Sequence, residues 1–393
     1  MQQKKIISIG LNGFPKGTAP VQKLKMMGKA IIEEGVEFCV IRNSFVKKTK
    51  LTENLNERGN VEGIDYILMA PHVFTPNSFV TKVYSRVAGK VNEFFYILSL
   101  YRNKNISGAI VYCNKFIYSL FWGLMFKLLK IPSYLVYFEL RSSVDTRKKW
   151  YLKLNDKMYD RFMFYFHDGF FVISQLLTQH INKYTPNKPK IYLPPIVDFA
   201  LYDSEPRLNG ESYFLYCGSL SYFDVIRFIV DSYEESQVNT INLKLVVNGS
   251  TTLLKKLHQL IEEKSLKEKV EILSGVSNKE LVGLYVNSNA LLIPLRDTAQ
   301  DIARFPHKVA EYCAANSPIV STKYGEIARL FDDTSALLAE KFDVKMFAEK
   351  LRYVEENPDQ SRCIGNNSYK LGKDKFDYRK YSKPILESML SDR

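Results

Sequence analysis

The run Phe305-Pro306-His307-Lys308-Val309-Ala310-Glu311-Tyr312 joins a proline that can open a helix to two basic side chains and, one turn later, a carboxylate. A helix N-terminus offers free N–H groups and the positive end of its dipole to a diphosphate, and a carboxylate further along can accept hydrogen bonds from ribose hydroxyls. The apolar stretch Ile319-Val320-Ser321-Thr322 and the following Gly325-Glu326-Ile327 predict a buried strand and then a tight turn. This is how an open α/β sheet holds a ligand at its carboxyl edge. A nucleotide diphosphate-sugar suits the chemistry. Glu311 is the first candidate for the site. His307 fits equally a phosphate contact or a surface position. Arg296, Arg304 and Lys308 are candidate cations, with a loop charge or a solvated helix face as the competing reading for each.

Two other segments carry polar groups to strand ends. In Asn12-Gly13-Phe14-Pro15-Lys16-Gly17-Thr18-Ala19-Pro20, Gly13 and Gly17 allow close backbone approach to a ligand, Thr18 can cap the next helix and Pro20 suits its first turn. Any strand-to-helix turn can be built this way for structural reasons alone. In Val136-Tyr137-Phe138-Glu139-Leu140-Arg141-Ser142-Ser143 an apolar strand runs into a carboxylate, a cation and two hydroxyls. Glu139 and Arg141 either meet a ligand or close the strand end as an ion pair. No Asp-x-Asp pair ends an apolar strand, so metal-independent chemistry is expected, and no Ser/His/Asp or Cys/His constellation stands out.

Together these motifs resemble the retaining family 4 glycosyltransferases of the GT-B fold, in the branch that carries Phe-Pro-x-Lys-x-x-Glu-Tyr. The resemblance continues upstream through residues 270–276, Glu280-Leu281, Leu284-Tyr285 and residues 290–296. It implies an α/β architecture of two doubly wound Rossmann-like domains facing a cleft. Residues 1–197 would bind the acceptor, 198–375 the nucleotide-sugar, and 376–393 would return to the first domain as a C-terminal helix. A hexosyl- or N-acetylhexosaminyl-transferase is implied, with a lipid-linked or polysaccharide acceptor and no cofactor beyond the donor substrate. Carried onto this sequence, the resemblance makes Glu139, Arg304 and Lys308 catalytic. On the donor side it places Gly13, Gly17 and Thr18 from the first loop, Gly218 and Ser219 from the first strand end of the second domain, and Gly275 from a base-binding turn. Arg296, Phe305, Pro306, His307 and Glu311 complete that side. Phe14 and Arg141 fall to the acceptor side.

The sequence departs from the family pattern twice. Ala303 stands eight residues before Glu311, where relatives carry a first Glu, so Asp301 or Arg304 would have to serve that region. Ser219 and Asp224 stand where many relatives place the Arg and Lys that neutralise the leaving diphosphate. Arg296, Arg304 and Lys308, with the Gly218 and Ser219 N–H groups, would have to replace them. These departures leave open a catalytically weak sugar-nucleotide-binding partner of another transferase, and the resembled fold itself leaves open a GT-B nucleotide-sugar epimerase or a phosphorylase-like enzyme.

A chain of 393 residues, 46% hydrophobic, has the length and material for two cores. Its five cysteines are odd in number and widely spaced, which predicts buried free thiols. The first apolar residues enter a strand without a signal-like core, and the run 116–129 is too short and interrupted to span a bilayer, so a cytoplasmic protein is expected, either soluble or peripheral at the inner membrane face. Residues 1–198 carry 29 Lys+Arg against 14 Asp+Glu, leaving 26 against 28 for the rest. A half so basic predicts an acidic partner, a glycan or lipid-linked acceptor or an anionic membrane surface. Nucleic acid is not expected, because no recognised binding motif accompanies the charge.

Apolar runs predict strands at 5–11, 36–42, 66–70, 109–112, 134–139 and 169–173, with helices at 21–34, 81–101, 116–129 and 150–166 between them. A second series of strands is expected at 213–216, 242–247, 270–273, 290–293, 319–321 and 336–338. The two halves meet near Leu193-Pro194-Pro195-Ile196-Val197-Asp198, which the resemblance makes the interdomain linker. On the helix around 81–98, Lys82, Arg86 and Lys90 border an apolar side that includes Phe94 and Phe95, a pattern that fits packing on the sheet or contact with anionic lipid.

Overall fold

The computed structural model describes residues 5–17, 19–48, 52, 54–144, 147, 149–208 and 210–390. The chain forms two units, one of Met1–Ile196 with Tyr378–Arg393, the other of Val197–Asp377. Lys+Arg outnumber Asp+Glu by 33 to 15 in the first unit and are outnumbered by 27 to 22 in the second.

The first unit is built on strands β1 (Lys5–Ile9), β2 (Glu37–Arg42), β3 (Arg58–Val61), β4 (Ile64–Leu68), β5 (Gly108–Val111), β6 (Ser133–Tyr137), β7 (Gly169–Val172) and β8 (Lys190–Tyr192), in the order β3-β4-β2-β1-β5-β6-β7-β8. All neighbours are parallel except β3 and β4. Runs such as Gly-Ala-Ile-Val in β5 and Gly-Phe-Phe-Val in β7 are buried at every residue, as a sheet covered on both faces requires. Edge strands β3 and β8 are additions to the expected set. Arg58–Val61 escapes hydrophobic patterning because only alternate residues are partly covered, and its turn, Glu62-Gly63 with both φ positive, lacks the usual Asn-Gly or Asp-Gly signal. Lys29 holds that turn through the Glu62 carboxylate at 3.0 Å.

From β1 to β2 the chain moves one way across the sheet, and from β4 through β8 it moves the other way. Right-handed crossovers therefore put the helix Ala19–Ile32 on one face and the helices Phe79–Arg102, Phe116–Leu128, Trp150–Phe162 and Gln175–Asn182 on the opposite face. The C-terminal helix Ser382–Leu390 joins the face of Ala19–Ile32, where Ile385 and Met389 enter the core with Leu24 and Ile31. Tyr134 donates to the Ser388 carbonyl at 2.5 Å. Lys23 is buried in this layer. Its ammonium donates to the Leu193 and Pro194 carbonyls at 2.7 and 2.8 Å and stands 3.7 Å from the centre of the Phe138 ring. Burial pulls its pKa well down, so the carbonyls and the ring supply what water would.

The second unit carries β9 (Tyr213–Ser219), β10 (Asn242–Asn248), β11 (Val270–Leu273), β12 (Ala290–Ile293), β13 (Ile319–Thr322) and β14 (Leu337–Ala339), all parallel, in the order β11-β10-β9-β12-β13-β14. The six expected strands are all present. Four cysteines are buried free thiols, but Cys363 is exposed, because the helix Pro358–Lys375 turns that position outward.

On the inner side of Phe79–Arg102, Glu93 is 1% exposed. It accepts from the Asn43 amide at 2.9 Å and from the Tyr118 hydroxyl at 2.7 Å. Burial pushes this carboxyl up to about 7, only partly offset by its hydrogen bonds. A carboxyl raised from its unfolded value binds more protons folded than unfolded, so its contribution is complete below pH about 4.5 and is lost as pH rises through about 7. Glu93→Gln should therefore remove a fall in stability of about 2–3 kcal/mol between pH 5 and 8, read as the difference between denaturant midpoints of variant and wild type at the two pH values.

Candidate active site

In the second unit the chain leaves β9 outward to β10 and β11, then returns to place β12 on the other side of β9. At such a reversal the loops after the two central strands splay apart and leave a crevice at the carboxyl edge. Gly218 and Ser219 end β9, and Arg296 follows β12 by three residues. A side chain from β13 fixes the latter loop. The Thr322 hydroxyl accepts from the Leu295 N–H at 2.8 Å and donates to the Leu295 carbonyl at 2.5 Å. The Ser219 hydroxyl caps the turn Leu220–Tyr222 by accepting from the Ser221 N–H at 3.2 Å.

Arg296 does not project as a lone cation. Asp301, fully buried in the first turn of the helix Ala299–Ala303, accepts from the Arg296 backbone N–H at 3.0 Å, its Nε at 2.8 Å and its Nη2 at 3.2 Å. The same carboxylate takes the Arg304 guanidinium at 2.8 Å. The other end of Arg296 meets Asp224 at 2.5 Å, and Tyr222 lies beneath Arg304, 4.6 Å from guanidinium carbon to ring centre. The chain Asp224-Arg296-Asp301-Arg304 therefore carries no net charge. Burial pushes the Asp301 carboxyl up, but its bonds to Arg296 and the field of Arg304 outweigh this and hold it below the usual carboxylate range. The hydrogen bond to Asp301 raises Arg296 above an already high arginine value. Asp301 is thus not available for the region vacated at Ala303, and Ala303 itself is buried.

The helix of the Phe305–Tyr312 run spans Lys308–Ala314, so Pro306 precedes it by two residues instead of opening it, and His307 is its N-cap. The Val309 and Ala310 N–H groups bond back to the Pro306 and His307 carbonyls at 3.1 and 3.2 Å. The Glu311 side chain is 18% exposed, with its Oε1 3.7 Å from the His307 ring. Burial lowers Lys308, but neighbouring Cys217 and Glu311 more than compensate, so it remains a cation. Phe305 is a correction. Its ring is 2% exposed and packs edge-on to Phe376 with centroids 5.6 Å apart, which makes it core and not a ligand contact. Tyr312 is likewise buried, against Tyr285. Gly275 lies after β11 with φ +73°, its N–H 3.3 Å from the Asn248 side-chain oxygen, and lines a cavity of about 620 Å³ with Ser274, Lys244 and Glu280.

In the first unit, Gly13 takes φ +99° and accepts from the Lys16 N–H at 3.1 Å, while Gly17 lies so close to Val21 that an added Cβ would come within 2.6 Å of its side chain. Thr18 lies outside the described residues. Phe14, expected on the acceptor side, is fully buried with its ring 6.1 Å from Tyr66. The loop turns it into the core under Ala19–Ile32. Glu139 and Arg141 form the ion pair that was the competing reading, at 2.7 Å, with Arg141 also 3.7 Å from buried Asp156. Arg141 is therefore locked between carboxylates, whereas Glu139 remains about one-third exposed.

Comparison with known proteins bears on what this strand-end arrangement belongs to. Residues 201–371 match the family model for glycosyl transferases group 1, which takes in Gly218, Arg296, Arg304 and Glu311. A search of curated proteins finds no match. Among solved structures the chain is similar to sucrose-phosphate synthase from Thermosynechococcus elongatus, at TM-score 0.76 and 13% identity over 98% of this chain and 97% of that one. It is also similar to a glycosyltransferase from Rickettsia africae, at TM-score 0.72 and 13% identity over the whole of both chains. A third likeness is to Anabaena HepE, solved in complex with UDP-glucose, at TM-score 0.71 and 15% identity over 99% of this chain and 100% of that one. The shared fold is GT-B, with two Rossmann-like units, as the sequence predicts. The narrower motif branch is not distinguished by these matches.

Asp224 and Asp301 were not separable by sequence, since both are acids near basic residues. Their burial separates them, with side-chain exposures of 58% and 0%. Asp301→Ala leaves two guanidinium groups without their buried partner and should cost about 3–5 kcal/mol in a urea melt. Asp224→Ala should change stability by less than about 1 kcal/mol in the same measurement.

Proposed function

We propose that the protein is a retaining, metal-independent glycosyltransferase that moves a hexosyl or N-acetylhexosaminyl group from a nucleotide diphosphate-sugar to a lipid-linked or polysaccharide acceptor at the cytoplasmic membrane face. The observation that carries this reading is the set Gly218, Ser219, Arg296, Arg304, Lys308 and Glu311 at the carboxyl edge around β9 and β12, inside the region that matches glycosyl transferases group 1. The UDP-glucose held by HepE supports a nucleotide-sugar as donor.

As the glycosidic bond to the donor breaks, negative charge grows on the diphosphate, and preorganised cations and N–H groups lower that barrier most. Lys308 and Arg304 would stabilise the leaving group, Arg304 being oriented by its ion pair with Asp301 and by the Tyr222 ring beneath it. Arg296 would join by exchanging the exposed Asp224 for a diphosphate oxygen while Asp301 keeps its geometry. Glu311 would accept from ribose hydroxyls. The basic first unit would take the acceptor, with Glu139 as the partly exposed carboxylate at its strand end.

A second reading has its own observation. Arg296 and Arg304 are matched by two aspartates, and Ala303 replaces the first Glu of the family pattern, which favours a sugar-nucleotide-binding partner with little turnover. Release of nucleotide diphosphate from a donor panel, with and without glycan acceptors, separates the two. Binding without release on every combination overturns the enzyme reading. Glu311→Ala should weaken donor affinity in calorimetry by about 1.5–3 kcal/mol without lowering the melting temperature of the free protein, and unchanged affinity would remove Glu311 from the site.

A further inference from the structure

The helices Phe79–Arg102, Phe116–Leu128 and Trp150–Phe162 lie side by side on one face of the first sheet, and their outer sides are apolar. Phe79, Leu128 and Trp150 are 78%, 74% and 74% exposed, and Val87, Phe95 and Phe121 are also exposed. The surface is continuous. Phe94 joins the first two helices, with its ring centroid 5.4 Å from that of Phe95 and 6.1 Å from that of Phe121. The Asn155 side chain joins the second and third, accepting from the Phe116 N–H at 2.9 Å and donating to the Asn114 carbonyl at 3.1 Å. So much contiguous apolar surface on a folded protein marks a contact with another phase or molecule.

The charges on these helices identify the partner. Their acidic residues, Glu93, Asp156 and Asp160, are all buried and bonded inside. Asp160 receives the Tyr137 hydroxyl at 2.9 Å and the Ser142 N–H at 2.6 Å, and Asp156 is in an ion pair with Arg147. What remains outside is basic, including half-exposed Lys82 and exposed Arg86, Lys90, Lys127, Lys153 and Lys157. A self-association surface so uniformly positive would repel its own copy, whereas apolar side chains edged by lysine and arginine match a bilayer interface with anionic headgroups. No described helix is long and apolar enough to cross a membrane. We propose that this three-helix face docks the protein on an anionic lipid surface, with the aromatic and aliphatic side chains entering the headgroup region and the basic ones engaging lipid phosphates.

This extends the membrane-side acceptor reading, but lipid binding is measured without donor or turnover, so either can fail while the other stands. The test is co-sedimentation of the full chain with vesicles of phosphatidylcholine alone or with about 30% phosphatidylglycerol, at 0.1 M and 1 M salt. Binding should require phosphatidylglycerol and weaken at 1 M salt, where the screening length falls from about 10 Å to about 3 Å. Lys82/Arg86/Lys90→Glu should lower the partition coefficient by at least about tenfold. Phe79/Leu128/Trp150→Ser should also lower it at unchanged charge, and because these side chains are about three-quarters exposed, melting temperature should hold. Wild type remaining in the supernatant at low salt overturns the proposal, as does sedimentation of both variants like wild type. Sedimentation velocity showing a lipid-free dimer that the serine variant abolishes, with vesicle binding intact, assigns the face to a second copy and overturns it too.

Discussion

Parallel strands cannot be joined by a tight turn, so each crossover must carry the chain back over a sheet face, and its handedness decides which face. Much of this protein's chemistry follows from that constraint. In the second unit the crossovers change direction between β11 and β12, which opens the crevice where Ser219 and Arg296 emerge from adjacent strand ends. In the first unit the same rule collects three consecutive crossover helices, Phe79–Arg102, Phe116–Leu128 and Trp150–Phe162, into one layer with a common outer surface. A ligand edge and a broad helical face thus come from one topological rule applied to two sheets.

Topology brings the strand ends together, but electrostatics decides what they offer. Asp301 has no exposure and binds two guanidinium groups and a backbone N–H, so the two arginines are held by the protein and not by the ligand. Water cannot easily take the place of such a buried partner, and the orientation it enforces needs no reorganisation when an anion arrives. Asp224 differs in this respect. Its carboxylate is mostly solvated, so its contact with Arg296 is screened and readily exchanged. The same arginine is therefore anchored on one side and exchangeable on the other. Where a Lys would add positive charge, Asp224 makes the unliganded cluster neutral.

The fold was largely legible in the sequence, because buried parallel strands read as short apolar runs between amphipathic helices. What escaped was the local chemistry of the edges, as in β3, whose turn uses Glu62-Gly63, and in β8, a three-residue strand among prolines. The candidate site was legible as a set of positions but not as a set of orientations. Residue type could not tell that Phe14 and Phe305 would turn into cores, since an aromatic side chain beside a glycine or proline suits a ligand pocket and a hydrophobic interior alike. Arg141 and Glu139 are two residues apart at a strand end, and only the position of Asp156 on a later helix shows that the arginine is held from both sides. Arg296 and Asp224 are 72 residues apart, so no local pattern could have joined them.

The first unit's basic character also looks different once the acids are located. A surplus of lysine and arginine alone would say only that the surface repels cations. On the three-helix layer, however, Glu93 fastens its helix to Asn43 and Tyr118, Asp156 binds Arg147, and Asp160 receives Tyr137 and two backbone N–H groups. The layer's acids serve as internal anchors of the crossovers, which removes their charge from the outer surface while the lysines and arginines stay solvated. Each buried carboxylate thus contributes to the packing of its helix and to the single sign of the field outside it. That coupling makes the surface charge hard to alter by changing those acids, because a substitution at Glu93, Asp156 or Asp160 disturbs the fold before it changes what the face attracts.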